Sequence, residues 1–321
     1  MVKATLLSPN NQFLRLVAII SFFYTASLVP LVGLVFILTL PMVLFVLDVM
    51  NNPKNVLAAL LSSLVIIALL LFILTNSFMP ALAMAAASFS GIAISRTAKK
   101  HYAVESVIIL PALIILSALA VYLVYGSMQL SVSPWRLLEQ HITEAVELNM
   151  KFYERLPLKP EEIQAMKEGK TGIIHLFVRI FPALCVMASL LTIWGNAIWG
   201  NRLLYKAGKA LPRLSALSRW KAPTRLVWIF LAAGGLSFMP QTSIRYAGIN
   251  IFLVASFGYF LQGLAIVSFF FQTRNISPYF RWIFYFFIAI QQMLMIAIAT
   301  MGFADLWIDF RKYLQKPPST D

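Results

Sequence analysis

Apolar residues fill this chain in blocks that are too long and too continuous for one face of a soluble helix. The clearest occupies residues 247–303, from Ala247 through Met301, broken only by a polar turn at 273–278 and by Arg281. Each half exceeds the roughly 20 apolar residues that carry a helix across a hydrocarbon core. Runs at 13–29, 31–50, 56–74, 78–95, 103–126, 176–200 and 226–240, bounded by charge, proline or asparagine, extend the pattern upstream. With 247–272 and 279–303 they predict an all-α, polytopic transmembrane bundle of about eight or nine spans. The range arises because Pro30 alone separates the first two runs, and because 78–95 is short and rich in small residues.

Between the fifth and sixth runs the pattern changes. Residues 127–175 hold Glu139, Glu144, Glu147, Glu154, Glu161, Glu162 and Glu168, seven of the twelve acids in the chain. Ser133-Pro134 marks a helix start, since proline is tolerated in a first turn. Leu138, Ile142, Ala145, Val146, Phe152 and Leu156 then recur at three- and four-residue spacing, which makes one apolar face. Pro157 and Pro160 break that helix, and Pro160-Glu161-Glu162 opens a second, short one ending near Gly169. The expectation is an extramembrane amphipathic helical hairpin, either a packed lid or a docking surface for a periplasmic or membrane protein partner. The chain then divides into N-terminal transmembrane helices at 1–126, the hairpin at 127–175 and C-terminal transmembrane helices at 176–321, within a single membrane domain.

Composition agrees, and charge orients the bundle. The chain is 60% hydrophobic and 12% charged, about half the usual soluble share of charge. Arg202, Lys206, Lys209, Arg213, Arg219, Lys221 and Arg225 fill the loop 201–225 without one acid, and Arg96, Lys99, Lys100 and His101 fill 96–101. The positive-inside rule places both loops in the cytoplasm, hence 127–175 outside and the N-terminus inside. Half of the +14 net charge therefore sits in one cytoplasmic loop, where it reports topology and contact with anionic lipid. No aromatic-interleaved recognition motif accompanies it, so the bilayer is the expected partner and nucleic acid is not. The first run continues past Val29 without a small-x-small cleavage site and reads as a retained anchor.

Chemistry-bearing motifs are few. The sequence contains no Gly-rich phosphate loop and no His-Glu-x-x-His, and His101, His141 and His175 are far apart. No enzyme, metal or cofactor is expected on that basis. Asp48, Glu105, His175 and Arg179 sit near span ends and read as anchors. Asp305 and Asp309, one turn apart and followed by Arg311 and Lys312, read as a charge-balanced interfacial cap. Ala83, Ala87 and Gly91 form a small-residue ridge that lets helix backbones approach. Gln262, Gln291 and Gln292 lie mid-span, with Tyr259 nearly one turn before Gln262. These four are the candidate ligand-binding residues. Their amides either join the last two helices, at roughly 0.6–2 kcal/mol per interhelical bond, or line a small-molecule pocket.

Three stretches carry a family resemblance. They are Pro182-Ala183-Leu184 with Leu190-Leu191-Thr192, Asn196 and Asn201-Arg202-Leu203-Leu204, then the run 259–270, and Asp305-Leu306-Trp307-Ile308-Asp309-Phe310-Arg311-Lys312. Over nearly its whole length the chain resembles the YybS-like family of predicted bacterial membrane proteins, a domain of unknown function. At fold level that family is similar to the substrate-binding S-components of vitamin transporters and to the rod-shape protein MreD. The resemblance implies a multi-pass protein of the bacterial inner membrane. It implies two functions: a transport or small-solute-binding subunit, or a non-catalytic envelope-assembly scaffold. S-components dock through small residues four apart on their first helix. Here residues 17–24 carry no such pair, and the ridge lies on the fourth segment.

Overall fold

A computed structural model describes residues 9–314 apart from 101, 158 and 216. His101 and the side chain of Arg213 lie outside the described part. All regular structure among the described residues is helical: α1 Pro9–Ala26, α2 Gly33–Met50, α3 Pro53–Thr75, α4 Met79–Lys99, α5 Val104–Leu130, α6 Pro134–Tyr153 and α7 Pro160–Lys206. There follow α8 Pro212–Ser215, a 3-10 turn at Leu217–Arg219, α9 Leu226–Leu236, α10 Thr242–Thr273, α11 Pro278–Ile290, α12 Gln292–Ile308 and α13 Phe310–Leu314. Several starts are written locally. Pro53, Pro134 and Pro278 occupy first turns behind Asn52, Ser133 and Ser277, whose side chains each accept a backbone N–H.

Every predicted run is helical, but the count of full spans is lower than eight or nine. Six helices (α2, α3, α4, α5, α7 and α10) are long and apolar enough to cross a bilayer, or up to seven if the bent pair α11 and α12 is counted as one span. The run at 226–240 yields an 11-residue helix, about 16 Å long against a core of about 30 Å. It stops after Gly234-Gly235 and before Pro240, residues that weaken and then end a helix. The run at 279–303 breaks at Gln291, where α11 and α12 meet at 103°. Gln291 is extended there, with φ −93° and ψ 104°, and no proline or glycine marks the break.

The hairpin also differs from expectation in one respect. Its second helix does not end near Gly169 but continues as α7 for 47 residues, through Gly172 and Pro182, to Lys206. A glycine costs a helix about 1 kcal/mol without stopping it, whereas restarting one requires a new nucleus. No boundary therefore falls at 175. Leu138 of α6 packs on Ile174 and Val178 of α7, with Ile142, Val146 and Phe181 around them. Lys170 to Glu147 (2.7 Å) and Lys167 to Glu154 (2.9 Å) staple the outer part.

The chain divides into two compact units, Met1–Leu211 and Pro212–Asp321, at a point inside the basic loop 201–225. In the first unit α4 is the central helix, with 67% of its most apolar stretch buried. Gly91 lies so close to the Pro41 carbonyl of α2 that a methyl there would collide with it. The Asn196 side chain of α7 donates to Leu38 O and accepts from Met42 N, both at 2.9 Å, so one amide bridges the α2 ladder beside Pro41. At the far end of α2, Lys99 donates to Asp48 O (2.9 Å) and Lys209 to Met50 O (3.4 Å). These cations face the carbonyl end of the helix, where its dipole favours them. Lys99 and Lys209, one from each basic loop, thus share one end of the unit, and α5 carries the chain from there to the hairpin.

In the second unit α10 and α12 cross antiparallel through Gly263 and Gly302. An added methyl at Gly263 would strike Ile298 O, and one at Gly302 would strike Tyr259 O. The short α9 runs antiparallel to α10, with Leu226 against Gly258 and Leu236 against Gly248.

Candidate functional site

Gln262 is fully buried in the second unit, and its partners are not the other mid-span amides. Its Oε1 accepts from the Ala222 backbone N–H (3.0 Å), and its Nε2 donates to Asp305 Oδ2 (2.9 Å). The same oxygen accepts from Arg311 Nη1 at 2.7 Å, while Asp305 Oδ1 accepts from Phe310 N at 2.9 Å. Arg311 Nη2 donates to Trp220 O at 2.8 Å. This clasp joins residues 220–222, α10, α12 and α13 through a carboxylate with no exposed surface and a guanidinium only 7% exposed.

Asp305 and Asp309 do not share a face as a cap. Asp309 adopts a left-handed conformation (φ 46°) that ends α12. Arg311 is thereby turned onto Asp305, while Asp309 pairs with Lys221 at 3.1 Å. Tyr259 is buried beside the clasp, edge-on to Phe230 and Phe303, and its hydroxyl has no partner among the described residues. Gln291 and Gln292 are exposed at the bend. Thirteen residues separate Gln292 from Asp305, about 20 Å along the helix. The structure thus brings Tyr259 and Gln262 together and leaves Gln291 and Gln292 apart. The buried ion pair was hidden because Asp305 and Arg311, six apart, match no helical face.

Both oxygens of the Asp305 carboxylate are taken by protein donors. In the first unit, α2, α4, α5 and α7 line a half-open cavity of about 360 Å³. Ala83, Ala86, Ala87, Ala118 and Ala188 make the room, and Ile37, Leu38, Leu82, Ile115 and Leu119 form apolar walls. The predicted packing ridge therefore splits by function. Gly91 makes the backbone contact, while Ala83 and Ala87 face the cavity. Polar groups are sparse: Tyr122, Ser189 and Thr192 line it, and no charged side chain does. Pro41 also lines it, and having no N–H it leaves the Ile37 carbonyl without its usual helical donor.

The hairpin reaches this cavity. The hydroxyl of Tyr122 lies 3.4 Å from His141 Nε2 on α6, with the two rings stacked. On the same hairpin, hydrogen bonds and charge from Lys170 and Lys167 hold the Glu147 and Glu154 carboxyls below the usual range. At the basic end of the unit, Asp48 is buried and accepts from Ser95 Oγ (2.5 Å) and Lys99 Nζ (3.3 Å). Among the described residues no three His, Cys, Asp or Glu side chains lie together in a way that holds a metal ion.

No curated protein and no solved structure matches the chain. A family model does match it, over residues 16–306, a span that includes all the membrane-length helices, the cavity and the Gln262–Asp305 bond. The chain belongs to the family described as Predicted membrane protein (DUF2232).

Proposed function

We propose that the protein is a multi-pass subunit of the bacterial inner membrane that binds a small, partly apolar solute in the cavity of its first unit, in the service of transport. The cavity carries this reading. Its volume of about 360 Å³ falls in the range of small-molecule sites, which combine apolar walls with a few placed polar groups. The hydroxyls of Tyr122, Ser189 and Thr192 and the Ile37 carbonyl suit a neutral solute that both donates and accepts hydrogen bonds. The walls hold no carboxylate, imidazole, thiol or amine, which supports a neutral solute over an ionic one.

The YybS-like resemblance, with its likeness to S-components, supports the same reading. On the positive-inside assignment the hairpin is external, so solute enters past Tyr122 and His141. Tyr259 and Gln262 then hold the second unit together and do not touch solute. The test is native mass spectrometry of the gently purified protein beside an Ala118→Phe variant whose added ring fills the cavity. A small-molecule adduct on the wild type that disappears from an equally helical variant is expected. An adduct of the same mass and occupancy on both proteins places the solute elsewhere.

A second reading, an envelope-assembly scaffold, draws on the outer side of α6, where Leu148 (71% exposed) and Phe152 (61%) face away from the hairpin core. A co-purifying protein subunit in the same spectra, lost on Leu148→Asp and Phe152→Asp substitution, favours the scaffold.

A further inference from the structure

The turn between α10 and α11 carries two guanidiniums and no acid. Arg274 caps α10 through its backbone N–H to Phe270 O (3.0 Å) and leaves its side chain exposed. Arg281 folds back, donating from Nε to Ile276 O (2.8 Å) and from Nη2 to Phe271 O (3.0 Å), which fixes the turn. From Gly169 to Ala304 the sequence contains neither Asp nor Glu. The next two acids are engaged: Asp305 by Arg311, and Asp309 by Lys221 and Lys312. Ser218, which sits between Arg213 and Lys221 in the basic segment, donates to Gln272 Oε1 at 3.1 Å. The turn therefore lies at the basic end of α10.

Beside this turn opens a second cavity of about 360 Å³, distinct in chemistry from the first because its walls expose only apolar surface. Ile266, Phe270 and Phe271 of α10 form one side, and Phe284 of α11, Met301 of α12 and Tyr313 of α13 form the other. Because α11 leaves α12 at 103°, it covers this groove without filling it. A soluble anion gains nothing from such walls, and a neutral hydrocarbon gains nothing from the arginine. One amphiphile satisfies both.

We propose that this groove binds a single anionic phospholipid, with an acyl chain among the aromatic side chains and the headgroup phosphate on Arg274. A guanidinium presents a planar fork that matches phosphate oxygens. Basic residues at the end of a membrane helix face the anionic headgroups of the adjoining leaflet. Arg281 acts as a positioning residue, since its donors are spent on the carbonyls that hold the turn in place.

The test uses the full chain, delipidated in detergent and titrated with phosphatidylglycerol or phosphatidylcholine of identical acyl composition, with bound lipid counted by native mass spectrometry. Wild type is expected to retain phosphatidylglycerol at about five-fold lower concentration, the weight of one basic residue at an anionic surface. Arg274→Gln should erase that preference while leaving the lipid-free melting temperature unchanged. Val267 of α10 also lines the groove; Val267→Trp, which fills it, should weaken both lipids, and Val267→Phe replaces it if the larger side chain prevents folding. Equal binding of the two lipids by wild type overturns the proposal, as does a preference that survives Arg274→Gln. Undiminished binding by the groove-filled variant overturns the acyl-chain site. Inorganic phosphate that displaces phosphatidylglycerol at equal concentration shows a headgroup-only contact and also overturns it.

Discussion

The clasp around Asp305 makes a quantitative prediction. In the wild type this carboxylate, with no exposed surface, accepts from Gln262, Arg311 and Phe310. Arg311→Met removes the cation paired with Asp305 among the described residues and leaves a buried charge with two neutral donors. Breaking a buried pair from one side costs about 3–5 kcal/mol, a fifth or more of a typical folding free energy of about 5–15 kcal/mol. Asp305→Leu strands the guanidinium instead, with Trp220 O as its acceptor, and should cost about the same. The double variant, Asp305→Leu with Arg311→Met, has no stranded charge. It loses bonds at Gln262 Nε2, Phe310 N and Trp220 O, each worth about 1 kcal/mol, and gains apolar packing in return. Its net loss should be about 1–3 kcal/mol, smaller than either single substitution, with a coupling of at least about 3 kcal/mol. Thermal unfolding in detergent, followed by size-exclusion chromatography of the heated samples, gives the three melting temperatures for the comparison. If the two single losses simply add in the double variant, Asp305 and Arg311 are not a coupled pair and the reasoning fails.

Other expectations are simpler. Gly263→Ala and Gly302→Ala push a methyl into a facing backbone oxygen and should lower stability by about 1–3 kcal/mol, whereas Gly169→Ala, in open space on a helix, should raise it by up to about 1 kcal/mol; melting temperatures decide. Because the Glu147 and Glu154 carboxyls are held low, the lysine staples stabilise the hairpin above the ordinary carboxylate range near about 4.3, and that contribution fades as pH falls through the depressed folded values. Amide protection factors in α6, taken relative to the intrinsic exchange rate at each pH, should fall over that acid interval, and the Glu147→Gln, Glu154→Gln variant should lose this pH-dependent component. For topology, in a background lacking Cys185, Glu154→Cys should react with a membrane-impermeant thiol reagent in outer-membrane-permeabilised cells while Lys209→Cys stays protected. The reverse pattern inverts the assignment.

Much of the architecture is visible residue by residue. Pro53, Pro134 and Pro278 behind their capping side chains announce helix starts, and the spacing of Leu138, Ile142 and Val146 gives the buried face of the hairpin. Other features are invisible because nothing local encodes them. The bend at Gln291 has no proline or glycine, and the left-handed turn at Asp309 uses a residue that tolerates that conformation but adopts it at few of its positions. Ala83 and Ala87 look like packing residues, but the same small side chains that permit contact also leave a void when the neighbouring helices stand off.

The sequence by itself determined that the chain is a bundle of membrane helices, where most of them start, and which loops are basic. A helix closes its backbone hydrogen bonds within its own segment, so in a bilayer the apolar length of that segment is enough to specify it. Tertiary structure alone decided that Gln262 meets Asp305 and Ala222 and not Gln291 or Gln292, that Arg311 neutralises Asp305, and that alanines from three helices leave a cavity. Each of these depends on how helices distant in sequence cross, and crossing is set by backbone contacts such as Gly263 on Ile298 that no single segment contains.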